Sequence, residues 1–167
     1  GDDTFVVNAS NLAALTSGVS NGQLARIDGG SGFDTLALSG TDLTLDLTAI
    51  ANQGGSTPGS TSRLEAIERI DLTGSGANTL KLSVGDILDL AGMNGFNNAS
   101  GWTDGTYNLA AGGANGANPE ARHQLIVTGN AGDAVALVDA LRWTKAGTVS
   151  HGGHSYTVHN ATDAAAQ

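Results

Sequence analysis

The sequence predicts a mainly β protein: an irregular parallel β-roll or β-helix-like solenoid with short helical turns and a C-terminal β-hairpin. Three observations carry that expectation. First, Gly29-Gly30-Ser31-Gly32-Phe33-Asp34-Thr35-Leu36-Ala37 fits the nonapeptide G-G-x-G-x-D-x-U-x, where U is a large apolar residue, at every specified position. Second, a shared core recurs, an Asp or Asn followed by apolar residues two and four places on: Asp3/Phe5/Val7, Asp34/Leu36/Leu38, Asn78/Leu80/Leu82 and Asp133/Val135/Leu137. Third, Gly makes up 25 of 167 residues, roughly twice its usual share, while aromatics are few. Turns therefore dominate, and short strands carry Leu, Ile and Val.

Each element follows from local pattern. Asp3 to Val7 reads as a strand, and Asn11-Leu12-Ala13-Ala14-Leu15 as a short helix ended near Gly18. Arg26-Ile27-Asp28 precedes the glycine turn, as Arg69-Ile70-Asp71 precedes a second turn and Leu125-Ile126-Val127 a third, so these three segments are expected on equivalent rungs. Thr35 to Leu38 and the alternating Leu43/Leu45/Leu47 have the period of two that a half-buried strand requires. Residues 51–61 form a Gly/Ser/Thr/Pro loop. Ser62-Arg63-Leu64-Glu65 has the spelling of a capping box that starts one helical turn before a strand at Ile67–Leu72, and Ser83-Val84-Gly85-Asp86 does the same before Ile87-Leu88-Asp89-Leu90. Residues 92–121 are a Gly/Asn-rich insertion, in which Trp102-Thr103-Asp104-Gly105-Thr106-Tyr107 spells a two-residue hairpin. Val135 to Trp143 reads as a strand running into a helical turn. Gly152-Gly153 closes the last hairpin, placing His151 opposite His154, Ser150 opposite Ser155, Val149 opposite Tyr156 and Thr148 opposite Thr157. The Asp/Asn positions 3, 34, 78 and 133 are unevenly spaced, so insertions separate the expected rungs.

The glycine turn also has a chemistry. Glycines let the backbone present carbonyl oxygens at close range, and the Asp adds a carboxylate. Calcium takes six to eight oxygens, so one such loop is a half-site that needs a stacked neighbour. Gly1-Asp2-Asp3-Thr4-Phe5 reads as that neighbour. The expected metal ligands are Asp34, with the Gly30 and Gly32 carbonyls, then Asp28 entering the turn, Asp3 on the stacked rung and Asp133 in a poorer version of the loop. With Asp34 acting through the ion alone, its removal is expected to leave the calcium-free protein nearly unchanged. Asn78 lacks the carboxylate and is read as a hydrogen-bonded turn residue. His151 and His154 face each other in the hairpin register, but two ligands do not make a zinc site. Trp102 and Tyr107 are read as a sugar- or peptide-stacking platform or as a cap on the end of the core.

Composition narrows the function. The 167 residues suit one domain, and since Gly1 falls inside a motif the chain reads as a piece of a longer protein. Net charge is −9, with thirteen Asp and three Glu, an excess that marks turns and oxygen-ligand loops. Five Arg and two Lys are scattered, which argues against nucleic acid. No apolar run approaches membrane-span length. With no Cys, metal is the available staple. No nucleophile-elbow, zinc-protease or phosphate-loop motif occurs, and no enzymatic activity is expected.

On the nonapeptide at residues 29–37 the chain resembles the repeats-in-toxin (RTX) proteins, calcium-binding cargo of bacterial type I secretion. The run Leu64-Glu65-Ala66-Ile67-Glu68-Arg69-Ile70-Asp71-Leu72-Thr73-Gly74-Ser75-Gly76-Ala77-Asn78-Thr79-Leu80, continued by Ser83 to Leu90, is similar to the C-terminal region of large RTX adhesins of Gram-negative bacteria. So are the turn at Asp133 and the Gly152-Gly153 hairpin. The resemblance implies a calcium-stabilised module, secreted to the bacterial cell surface, that folds after type I export and serves cell or biofilm adhesion. Its implied partners are calcium ions, neighbouring repeats, the secretion machinery and a surface glycan or protein. A second reading is a carbohydrate-binding module resembling those of alginate-modifying epimerases, with Arg26 and Arg69 stacked on equivalent rungs as a basic strip.

Overall fold

The computed structural model describes residues 1–52, 62–93, 95–96, 100–107 and 122–167. The loop expected at residues 51–61 lies almost wholly outside them, as does much of the insertion at 92–121. The fold is mainly β, with several small sheets and few helices. It divides into two compact units, residues 1–91 with 125–138, and residues 92–124 with 139–167.

The first unit begins with β1 (Thr4–Val7) and α1 (Ala9–Ser17). Asn8 caps α1, its side chain accepting from the Ser10 and Asn11 amides, and Gly18 ends it in the left-handed region at φ 82°. Next come β2 (Val19–Ser20), β3 (Gln23–Leu24), β4 (Ile27–Asp28), β5 (Thr35–Leu38) and β6 (Thr44–Asp46). They are followed by β7 (Leu64–Glu65), β8 (Arg69–Asp71), β9 (Thr79–Leu82) and α2 (Val84–Leu90). After β10 (Thr103–Asp104) of the second unit, β11 (Ile126–Thr128) and β12 (Ala134–Leu137) complete it.

Three of its sheets are wholly parallel, of order β1-β5-β8-β11, β6-β9-β12 and β4-β7. Registers align like with like. Leu36 lies beside Ile70, and Leu45 beside Leu80. Burial alternates along β5 and β9, with Leu36, Leu38, Leu80 and Leu82 inward, because successive side chains of a strand point to opposite faces. Leu47, Leu64, Ile67, Leu72 and Val84 fill the same core.

Parts of the expected stacking hold. Thr4 pairs with Thr35, so the opening strand is the neighbour of the nonapeptide, and Leu80 pairs with Val135. The single expected column of four Asp/Asn turns does not form. Strand β5 pairs with β8, whereas β9 pairs with β6, so the turns fall into two columns. One runs through Asp3, Asp34 and Glu68, the other through Leu43, Asn78 and Asp133. Likewise Arg69–Asp71 lies beside Thr35–Ala37, not beside Arg26-Ile27-Asp28, which pairs instead with Leu64–Glu65. The identical spelling reflects the shared demand of a strand entering a turn, not a shared rung. Arg26 and Arg69 therefore form no strip. Leu125-Ile126-Val127 does follow Arg69–Asp71, one residue out of the expected register, with Ile126 beside Arg69. The capping box at Ser83 starts α2. That at Ser62 starts no helix, because Leu64 and Glu65 are drawn into the ladder with β4.

In the second unit, β13 (Trp143–His151) and β14 (His154–Ala161) form the expected hairpin, with all four expected pairs in register. Gly152 and Gly153 turn it with φ of 57° and 81°. The hairpin expected within residues 102–107 is absent. Thr103 and Asp104 pair instead with Ser150 and Val149, so β10 becomes a third strand on β13.

Candidate metal centre

The glycine turn sits between β4 and β5, where neighbouring segments of the chain approach closely. Gly30 and Gly32 take φ of 77° and 141°, conformations that L side chains rarely adopt. A Cβ on Gly29 would strike the Ala66 carbonyl and the Asp34 side chain, and one on Gly32 would strike the Gly1 carbonyl. Chain packing, as well as turn conformation, demands glycine here.

Asp34 ends the turn and is 0% exposed. Its Oδ1 accepts the Asp3 amide at 2.7 Å, and its own amide donates to Glu68 Oε2 at 2.9 Å. Its carbonyl accepts from the Glu68 and Arg69 amides at 3.1 and 3.0 Å. Its Oδ2 is buried with no partner. Around it, Asp2 Oδ1 accepts from the Phe33 amide at 2.8 Å, and the Asp3 carbonyl accepts from Thr35 at 2.9 Å. Asp28 turns away to local duties: Oδ1 accepts the Gly30 amide at 3.0 Å, and Oδ2 pairs with Arg26 at 2.9 Å. Arg26 also contacts Glu65.

The second column repeats this construction with a telling difference. Asn78, also 0% exposed, accepts the Leu43 amide on Oδ1 at 2.8 Å. Its Nδ2 donates to the Leu72 and Ser75 carbonyls at 2.9 and 3.3 Å, so both its polar ends are satisfied. Asp133 accepts the Asn78 amide on Oδ1 at 2.8 Å and the Asn130 amide on Oδ2 at 2.6 Å. Both of its oxygens are taken. Of the three, only Asp34 carries a buried oxygen without a donor, at the position where Asn78 has an N–H. A buried carboxylate oxygen without a donor is costly, and the cost disappears when a cation or a proton occupies the place.

The expected ligands are thus divided. Asp34 meets Asp3 through the Asp3 amide, with the Asp3 carboxylate exposed, and Gly30 and Gly32 lie in the same turn as Asp34. Asp28 borders the turn but is engaged with Arg26. Asp133 lies in the other column with its acceptors filled. Among the described residues, no group of three or more His, Cys, Asp or Glu stands close enough to hold a metal. A cation here would rest on one carboxylate and backbone carbonyls, a donor set that suits calcium and does not suit zinc.

Residues that sequence reasoning passed over include Glu68, which caps the Asp34 amide, and Asp42, whose Oδ1 accepts the Ala77 amide at 2.8 Å as Asp2 does that of Phe33. A signal existed: Asp2-Asp3-Thr4-Phe5 and Asp42-Leu43-Thr44-Leu45 share Asp-x-Thr-apolar, and both open a stacked strand.

The aromatic pair is interior. Trp102 is 4% and Tyr107 6% exposed, and the Trp102 ring stacks on His151 at 4.5 Å and 17°. Phe96 and Tyr156 lie 5.3 and 5.1 Å from it. The two rings lie in the core of the second unit rather than on an open platform. No family model, no curated protein and no solved structure matches the chain.

Proposed function

We propose that this chain is a calcium-stabilised structural module of a secreted bacterial adhesin, with no reaction of its own, whose parallel sheets are rungs of an irregular solenoid. The observation that carries the reading is the unpartnered, fully buried Oδ2 of Asp34 inside a glycine turn stacked in register on another chain segment. In the matching turn, Asn78 directs an N–H at the carbonyls of Leu72 and Ser75. Asp34 offers an oxygen in place of that N–H, and by sequence position its counterpart carbonyls are those of Asp28 and Ser31. The Gly30 and Gly32 carbonyls complete the candidate set. The Ser31 carbonyl accepts from the Gly1 ammonium at 2.6 Å, and calcium would supply positive charge at the Asp34 Oδ2, which has no donor.

The adhesin and secretion assignment rests on the resemblance to RTX proteins described from the sequence. Physical chemistry makes it coherent. With calcium scarce, the Asp-rich turns repel and the chain stays loosely folded for export; outside the cell the ion locks the turn, coupling folding to arrival.

Thermal unfolding in calcium and in excess chelator tests the proposal. Calcium at about a hundred times its Kd stabilises a one-site protein by about 2.7 kcal/mol. An upward Tm shift with calcium and none with magnesium is expected, since magnesium demands tighter octahedral geometry. Equal Tm in calcium and chelator would overturn the reading.

A further inference from the structure

The turn between β2 and β3 carries a reactive pair of residues. Asn21 and Gly22 connect a hairpin whose ladder is two pairs long, Val19 with Leu24 and Ser20 with Gln23, extended by the Ala25 amide on the Gly18 carbonyl at 3.1 Å. Both turn residues take positive φ, 51° and 77°, as the two-residue turn favoured by Asn-Gly requires. Among the described residues Asn21 is the one Asn followed by Gly, since the pairs at 94–95 and 115–116 lie wholly or partly outside them.

The environment leaves this pair open to reaction. Asn21 is exposed, and among the described residues its side chain makes no hydrogen bond and the Gly22 amide donates to no acceptor. A Cβ built on Gly22 would meet nothing within 4 Å, so the approach to its nitrogen is clear. Other asparagines are held. Asn8 accepts the Ser10 and Asn11 amides, Asn78 donates to the Leu72 and Ser75 carbonyls, and Asn130 donates to that of Thr73. Each of these is followed by a residue with a side chain, Ala9, Thr79 or Ala131.

We infer that Asn21 is a self-modification site, converting through a cyclic imide to aspartate and isoaspartate with water as the co-reactant. The Gly22 nitrogen gives its proton to solvent and bonds to Asn21 Cγ. The Cγ–Nδ2 bond breaks, and Nδ2 leaves as ammonia with a proton from solvent. Water then opens the five-membered ring. Addition at Cγ yields aspartate, whereas addition at the main-chain carbonyl carbon leaves the chain running through Cβ and Cγ as isoaspartate. Closed, the ladder brakes the reaction, because ring closure needs a backbone rotation at Asn21. A hairpin of two pairs lies at the low end of local stabilities, so the brake is weak. The products differ in effect. Asp-Gly suits the same turn and keeps the ladder. Isoaspartate adds a backbone carbon that a two-residue turn does not accommodate, so the ladder opens and moves Ser20 and Ala25, which line the cleft beside β1.

The test ages the intact chain in chelator at mildly alkaline pH, so its outcome is independent of the calcium reading. A synthetic peptide of residues 17–26, which has no ladder to hold it, is aged beside it. Peptide mapping by mass spectrometry locates converted asparagine, and isoaspartyl methyltransferase labels the isoaspartate. Conversion at Asn21 about tenfold slower than in the peptide is expected, the factor given by an opening cost of about 1.4 kcal/mol. Asn21→Gln, which would have to close a larger ring, should lose the product. In NMR spectra the aged chain should shift at residues 19–24 alone, while Asn21→Asp keeps the parent's ladder. Unchanged spectra away from the hairpin show that each variant is folded. Conversion at Asn21 more than about a hundredfold slower than in the peptide, or found only at other asparagines, overturns the inference. The same products from Asn21→Gln do so too.

Discussion

At Asp34, the two oxygens of one carboxylate have different fates. Oδ1 holds the Asp3 amide whether or not a metal is present, whereas Oδ2 has no donor. Removing the side chain therefore does two things, contrary to the simpler expectation that only the calcium-bound form would suffer. Asp34→Ala should lose about 1–3 kcal/mol in chelator, from the unsatisfied amide, and also lose its calcium response. Asp34→Asn should keep the Oδ1 acceptor and place an N–H where Asn78 has one, leaving stability in chelator equal or higher while abolishing the calcium shift. Thermal melts of both variants, with and without calcium, separate the roles; a calcium shift in Asp34→Asn equal to the parent's would remove Asp34 as the ligand. The reverse exchange is a sharper check. Asn78→Asp should destabilise the chelated protein, because its new oxygen meets the Leu72 and Ser75 carbonyls, and added calcium should restore part of the loss.

At the scale of elements, α2 depends on its first turn. The Ser83 hydroxyl accepts from the Asp86 amide, the Asp86 carboxylate accepts from the Ser83 amide at 2.7 Å, and Val84, Ile87 and Leu90 are then buried. Ser83→Ala should cost about 1 kcal/mol, read as a shift in denaturation midpoint without change of slope. Between β6 and β9, Asp46 accepts from the Thr48 hydroxyl at 2.5 Å and pairs with Lys81 at 2.9 Å. These contacts, the Thr48 hydroxyl foremost, hold its carboxyl below the ordinary range. A depressed folded pKa gives stability that is complete above the unfolded pKa and lost as pH falls through the folded one. Lys81→Met should therefore lower stability modestly at neutral pH and leave it unchanged below the folded pKa, so that the acid-side loss, measured by denaturant melts at stepped pH, shrinks.

These elements also show what was legible in the sequence. Period-two apolar spacing located β5, β6 and β9, and capping and turn chemistry located α1, α2 and the Gly152-Gly153 hairpin, since those signals are local. Which rung lies on which was harder. Arg26-Ile27-Asp28 and Arg69-Ile70-Asp71 look alike because both enter turns, yet partner choice is fixed by contacts distant in sequence, and β8 finds β5. Asp34 was identifiable as a turn residue. Asp133 stood apart only by its poorer glycine pattern; that its second oxygen is already taken was not legible, because that depends on whether a nearby amide reaches it. Trp102 and Tyr107 misled for a related reason: their own two-residue turn competes with pairing to β13, and pairing buries both rings.

For the molecule as a whole, parallel strands joined by long connections must close large loops before their contacts form, so folding is expected to be slow for a chain of this length. Stability should also be graded across the parallel sheets. Leu36, Ile70 and Leu80, each no more than 1% exposed, lie on strands with a partner on both sides. Strand β12 has one partner and exposes Val135. Native-state hydrogen exchange should find the slowest amides in β5, β8 and β9, and faster ones in β1 and β12. A reversed order would mean that the edges, not the centres, anchor these sheets.

The caps that Asp34, Glu68, Asn78 and Asp133 place on the preceding segment, beside those that Asp2 and Asp42 make in the other direction, have a consequence for heredity. A rung whose side chain satisfies the backbone of the rung before it travels with its own fastening. Tandem duplication of such a segment adds one amide to be capped and, in the same stretch of gene, the oxygen that caps it. Deletion removes both together. A chain built this way can lengthen or shorten by whole rungs without stranding a polar group, and uneven intervals between them, such as those separating positions 3, 34, 78 and 133, cost it nothing at the joints.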